Sequence, residues 1–322
     1  MNIGIIGPGM IAHRLADAVT YMPGVSVIAV ASKNIDRAKA FAQQHSIALY
    51  YEDYSQMLKK APIELVYIAT THNFHYANIL MCLEYGKHVL CEKCMVLTQK
   101  QAEHVRKEAR EKNLFVMEAM WSRFIPTVNQ VKKWISSGNI GKIVTGHIQL
   151  GFLAPKDADS RLYNPHLAGG AMFDIGVYAI EIAMFLTGQK LIESRSILKY
   201  ADTGVDVIDS IVLEFQNCII SLQMTFLANI PQQAFFCGTN GYIMMPTPSY
   251  GNTCYLYDNY GNLVDKFIEV NSNGLGTAIN GSITQLNEVI RCIQNGQIES
   301  DIMPLAHTVE CAKIFDRCLS GV

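Results

Sequence analysis

The chain has 322 residues, which at about 150 residues per domain predicts two domains with a sizeable core each. Its 50% hydrophobic and 17% charged residues describe a globular chain poor in surface charge, and a formal net charge of -2 leaves no basic excess for nucleic acid or an anionic membrane. Nine scattered cysteines, a start unlike a secretory leader and no apolar run of roughly 18 residues predict reduced thiols in a cytoplasmic protein with no membrane partner, which excludes a disulfide scaffold.

Residues 3–6, 25–30, 65–69, 88–91 and 114–117 are short, β-rich apolar runs separated by helical patterns. Alternating strands and helices predict a doubly wound parallel sheet, an α/β domain over residues 1–121. Ala12, Leu15, Ala16, Val19 and Met22 share one helical face, and Thr98 is placed to cap a charged helix reaching Lys112. Beyond Trp121 the pattern changes to an α+β domain over residues 122–322. A helix near 127–135, a strand near 143–150, a loop and a helix near 174–186 precede longer strands that read as antiparallel. In 218–226, Ser221, Gln223 and Thr225 alternate with Ile220, Leu222, Met224 and Phe226, the period of a sheet with one apolar and one polar face. Runs at 235–237, 242–245, 254–257 and 263–267 continue the meander, and helical stretches at 277–294 and 304–318 close the chain.

Gly7-Pro8-Gly9-Met10-Ile11-Ala12 directly follows the first strand and opens the first helix, the setting in which a G-x-G-x-x-G/A pattern binds a dinucleotide. Gly7 permits the turn, Gly9 lets backbone approach a pyrophosphate, Ala12 allows close packing, and the helix N-terminus faces the phosphates beside Met10 and Ile11. The second strand ends in Ala31-Ser32-Lys33-Asn34, with Arg37 one turn on. The carboxylate that would accept hydrogen bonds from the ribose of NAD is absent, and a hydroxyl with two cations suits the 2'-phosphate of NADP better.

This fingerprint, with Cys91-Glu92-Lys93 and the run from Gly169-Gly170 through Asp174 to Tyr178, resembles the Gfo/Idh/MocA oxidoreductase family. Within it the chain most resembles the dimeric dihydrodiol dehydrogenase and NADP-dependent xylose dehydrogenase branch. Ala69-Thr70-Thr71-His72-Asn73-Phe74-His75, Met117 to Phe124, Thr203-Gly204-Val205-Asp206, Glu299-Ser300 and Pro304-Leu305 carry the likeness along the chain. The resemblance implies an N-terminal Rossmann domain and a C-terminal domain with an open, mainly antiparallel mixed sheet. It also implies NAD(P)-linked chemistry on a secondary hydroxyl or carbonyl of a sugar, polyol or trans-dihydrodiol. Thr70, Thr71, His72, His75 and Glu92 are implied cofactor residues, Trp121 and Arg123 frame the nicotinamide end, and a homo-oligomer, dimer or tetramer, is implied through a sheet face. The apolar face at 218–226 fits that role and equally fits the domain's own core.

Hydride transfer needs an acid/base group for the hydroxyl proton. The family commonly has D-x-x-x-H; here Asp174-x-x-x-Tyr178 puts tyrosine in that place. Tyrosine titrates near pH 10 in isolation, so as a base it needs a cation, which Lys93 supplies while binding the substrate oxygen. Lys93, Tyr178 and Asp174 are therefore the catalytic candidates. Read alone, Tyr178 also fits a packing residue and Asp174 an acidic residue near a helix N-terminus. The usual Glu-Lys-Pro is Glu92-Lys93-Cys94 here, which leaves open a silent dinucleotide-binding sensor on the same fold. Cys91 and Cys94 have no second ligand pair at zinc spacing, so no metal is expected. Phe152, Arg161 and Asn164, in the loop after the strand at 143–150, are substrate-binding candidates.

Overall fold

In the computed structural model, which describes residues 1–270 and 274–320, the chain divides into two units. Met1–Trp121 and Ala278–Val309 form one; Ser122–Thr277 and the segment from Glu310 form the other.

The first unit holds β1 (Asn2–Ile6), α1 (Met10–Val19), β2 (Ser26–Ala31), α2 (Ile35–Gln44), β3 (Leu49–Tyr51), α3 (Tyr54–Lys60), β4 (Leu65–Ile68), α4 (His72–Glu84), β5 (His88–Glu92), α5 (Gln99–Lys112) and β6 (Val116–Ala119). All the strands pair in parallel, in the order β3-β2-β1-β4-β5-β6. This is the doubly wound dinucleotide-binding order, whose switch point lies between β1 and β4. Strands covered on both faces read as continuous apolar runs, and β4 is buried at every residue. Short polar side chains start the helices: Asn34 accepts from Arg37 N, Asp53 from Gln56 N and Thr98 from Gln101 N. Asn113, at φ 53°, ends α5 in the left-handed region. The short β3 escapes the sequence pattern, and the last strand lies two residues later than its apolar run.

The second unit continues with α6 (Pro126–Ser136), β7 (Ile143–Gly151), a π-helical turn (Met172–Gly176) and α7 (Val177–Thr187). Its remaining strands are β8 (Leu191–Tyr200), β9 (Asp206–Phe215), β10 (Ile219–Thr225), β11 (Gln233–Gly238), β12 (Gly241–Pro246), β13 (Thr253–Asp258) and β14 (Leu263–Ile268). The order is β14-β13-β12-β11-β7-β10-β9-β8, antiparallel except for the β7–β10 pair. Thus 218–226, expected among antiparallel strands, contributes the one parallel partner of this sheet. The strands β8 and β9 fall where longer strands were expected without ranges; β8 is an edge strand whose alternation is blurred by exposure at half its positions. Ile220, Leu222 and Met224 are buried in this unit's own core under α7, so the apolar face of β10 belongs to that core. The segment from Pro165 to Thr187 is long and apolar enough to cross a membrane, but 72% of its most apolar window is buried inside the fold, as befits a core helix.

Two helices close the chain, α8 (Thr277–Gln294) and α9 (Leu305–Leu319). Residues 278–309 belong with the first unit, so the second domain is not the contiguous 122–322 expected. The physical reason lies at the β6 edge: Val116 N donates to Ile298 O at 3.1 Å, Thr308 Oγ1 donates to Glu118 at 2.8 Å, and Arg110 pairs with Glu299 at 3.2 Å.

Candidate active site

The glycine turn after β1 distinguishes two reasons for lacking a side chain. Gly7 has φ +91°, and an added Cβ would stand 2.9 Å from the Ala69 carbonyl and from the Thr70 methyl, so the chain itself demands glycine. Gly9 caps α1 at φ -91°, a value open to any residue, and a Cβ there would meet nothing nearer than Ala69 O at 3.8 Å. Neither backbone nor packing requires Gly9. The open space it leaves at the first amides of α1 fits the close approach of a dinucleotide pyrophosphate. Met10, 91% exposed, and half-buried Ile11 flank this opening.

At the end of β2, Ser32 Oγ accepts from Asn34 N at 3.2 Å, leaving its own hydrogen to donate. Lys33 is exposed, 4.0 Å from Asp53 and over the Tyr54 ring at 4.7 Å. Arg37 is also exposed. Lys33 lines a depression of 590 Å³ with Ile35, Tyr50, Tyr51, Glu52, Asp53 and Gln56. Asp53, which sequence reading missed, brings a carboxylate beside the lysine; its position in a helix-capping Asp-x-x-Gln pattern was the available signal.

The β4 and β5 ends are tied together by His75. Fully buried, it sets Nδ1 2.8 Å from Cys94 O and Nε2 2.9 Å from Thr70 O, and burial lowers its pKa. His75, expected at the cofactor, lies inside between these two carbonyls and, as a neutral ring, donates to one of them. Thr71 caps α4 and donates to Asn73 at 2.7 Å, while half-buried His72 meets His75 edge-on. Lys93 stands at the carboxyl end of β5, half-buried, and the Lys93–Cys94 peptide is cis. Glu92, also expected at the cofactor, is buried and accepts the Tyr67 hydroxyl; burial raises its pKa against the pull of that bond, Lys93 and Arg14. The Arg14 guanidinium also covers the Trp121 ring at 5.0 Å. Tyr67 and Arg14 were not singled out from the sequence; a tyrosine inside an otherwise aliphatic buried strand was the legible hint. Cys91 and Cys94 are buried thiols outside any disulfide, the first with its pKa pushed well up by burial, which makes a poor thiolate.

In the second unit, Asp174 lies in the π-helical turn and Tyr178 one turn on in α7. Such π insertions occur frequently at functional sites. Asp174 is buried and accepts from Arg161 Nη1 at 2.9 Å, so two residues predicted separately form one pair. Phe152 packs on Phe226 at 5.2 Å between ring centres, and Asn164 Oδ1 accepts from His166 N at 2.9 Å, capping a short turn. Arg123, expected to frame the nicotinamide end, lies in the interior. It is 1% exposed, donates to the equally buried Glu181 and lies 4.9 Å over the Phe185 ring, so it braces α7.

Residues 1–120 match the family described as "Oxidoreductase family, NAD-binding Rossmann fold", and residues 128–244 match the GFO/IDH/MocA C-terminal domain. Trans-1,2-dihydrobenzene-1,2-diol dehydrogenase of Xenopus laevis is 33% identical over 98% of this chain and 96% of its own; the Homo sapiens protein of that name is 28% identical over 99% and 96%. A 3-ketoreductase from Actinomadura kijaniata, solved with NADP and TDP-benzene, is 23% identical at a TM-score of 0.87, covering 100% of this chain and 97% of its own. Levoglucosan dehydrogenase, solved with NADH and levoglucosan, is 21% identical at 0.88, covering 100% and 96%. Both structures share the fold.

Proposed function

The chain belongs to the Gfo/Idh/MocA oxidoreductase family, and from that premise we propose an NADP-dependent dehydrogenase or reductase. Its substrate class is a sugar, polyol or trans-dihydrodiol reacting at a secondary hydroxyl or carbonyl. The observation that carries this reading is Gly9, whose missing side chain nothing within the chain explains. When bound, the nicotinamide cofactor supplies the hydride donor or acceptor.

The chain's own residues divide the remaining work. Gly7, Gly9 and the amides of α1 would hold the pyrophosphate, and Ser32, Lys33 and Arg37 would hold the 2'-phosphate beside a depression that Glu52 and Asp53 also line. Thr70, Thr71, His72 and Trp121 would border the cofactor. The Lys93 ammonium binds the substrate oxygen, the Tyr178 phenol moves its proton, and Asp174, held by Arg161, orients the substrate.

Titration with NADP and NAD, followed by a panel of sugars and diols read at the nicotinamide absorbance, tests this. Wild type is expected to prefer NADP and to turn over at least one member of the panel. Lys33→Ala should weaken NADP about tenfold and leave NAD nearly unchanged, the loss of one charge-assisted contact. Gly9→Ala should weaken both about tenfold while costing less than about 1 kcal/mol of stability, because its Cβ has room. Binding without turnover would favour the sensor reading, and no binding of either nucleotide would remove both.

We also propose a homo-oligomer joined through the outer face of the eight-stranded sheet. Support comes from the stacked Tyr242 and Tyr257, 4.8 Å apart on strands β12 and β13, with His147 and Gln149 on β7 and Ser221 and Gln223 on β10 further along the same sheet. Light scattering at micromolar concentration should give at least twice the chain mass; a monomer would discard this proposal. The nine free thiols support a reducing, cytoplasmic compartment.

A further inference from the structure

Against the turn that carries Asp174, two carboxyl groups face each other in the interior of the second unit. Asp206 and Asp209 lie on β9, where its pairing with β8 shifts register between Lys199 and Tyr200. Both are buried, Asp209 completely. Asp206 Oδ2 accepts the N–H of Met172, the first residue of the π-helical turn, at 2.6 Å. Gly170 has φ +121°, and an added Cβ would stand 2.2 Å from Asp206 Oδ1. The entry to the turn is therefore built around the Asp206 carboxylate.

Asp209 is the unusual member. Among the described residues, no ordinary donor reaches either oxygen of its carboxyl; the polar group it meets is the carboxyl of Asp206. The titratable groups facing the pair from neighbouring elements are Tyr200 on β8 and Cys318 on α9, neither of them a cation. A buried carboxylate with neither donor nor cation is far costlier than the neutral acid, and two facing carboxyls resolve this by keeping one proton.

We propose that Asp209 is carried as the neutral acid, donating to Asp206, and that this shared proton positions the turn that holds Asp174 and leads into Tyr178. The positioning role rests on the catalytic reading of those two residues; the proton itself does not. Burial first, then the charge of Asp206, pushes Asp209 up to about 9. Its folded value lies above its ordinary one, so the stabilisation is complete below about pH 4 and is lost as pH rises through about 9.

Asp209→Asn keeps a donor toward Asp206 but cannot ionise. Thermal unfolding from about pH 5 to about pH 10 should fall more steeply in wild type than in Asp209→Asn, by the proton linkage just stated. At about pH 10, amide exchange across residues 170–178 should be roughly tenfold faster in wild type than in the variant. The ratio of turnover at about pH 10 to that at about pH 7 should be roughly tenfold higher in the variant, since a small misplacement of reacting groups is enough for such a loss. In wild type alone, infrared spectra should show a protonated carboxyl band at neutral pH that disappears in alkali. Parallel unfolding curves or absence of that band overturn the shared proton. Equal exchange at 170–178 overturns its positioning role, whether or not any substrate is turned over, so failure of the catalytic reading is separately visible.

Discussion

Lys93→Met is expected to lower kcat at least about a hundredfold while leaving NADP affinity nearly intact, the size associated with losing an acid/base or electrostatic contributor. The separation follows from where the parts lie. The cofactor contacts proposed at Gly9, Ser32 and Lys33 are at the ends of β1 and β2, whereas Lys93 terminates β5. Methionine keeps the length and the apolar stem of lysine and removes only the charge, so packing around the strand end is preserved. Behind the lysine, Glu92 keeps Tyr67 as hydrogen-bond partner and Arg14 as a cation, which limits collateral damage. Steady-state kinetics with a separate NADP titration checks both halves. Wild-type kcat in the variant would take the lysine out of the mechanism.

The largest stability effect is expected at a residue the sequence reading placed at the cofactor. Arg123→Met should destabilise the protein by about 3–5 kcal/mol, because it strands the Glu181 carboxylate in the interior without its cation. Both side chains are at most 1% exposed, so water cannot replace the lost partner. Against a typical total of about 5–15 kcal/mol, such a loss is a large fraction. In a chain of this size it lowers Tm by on the order of 10 °C. The double variant Arg123→Met, Glu181→Leu should recover most of that loss, since replacing a whole buried ion pair by apolar groups of similar volume is often neutral. Calorimetry on the single and double variants decides it: unchanged Tm in the single variant would mean the pair bears no such load, and a direct cofactor role would regain its standing.

The features legible in the sequence are those fixed by local interactions. The turn at Gly7 and Gly9, the cap at Thr98 and the period of β10 are set by neighbours within a few residues, and each was legible. The partner of β10 was not. Its alternation shows that one face is buried but carries no sign of whether the adjacent strand, β7, runs with it or against it. Resemblance assigned Arg123 and His75 by residue type and order, and their burial was not legible there because it depends on the folded surroundings.

By itself, the sequence determined the doubly wound domain, the glycine turn at the head of α1, the absence of a carboxylate just after β2 and the lysine closing β5. These follow from periodicity and backbone sterics acting over short stretches of chain. Only the tertiary structure decided that residues 278–309 rejoin the first unit, that Arg161 holds Asp174, that Arg123 is spent on Glu181, and that Asp206 and Asp209 meet. Each of those is an electrostatic or hydrogen-bonding event whose energy depends on separation and burial, quantities that exist only once the chain has folded.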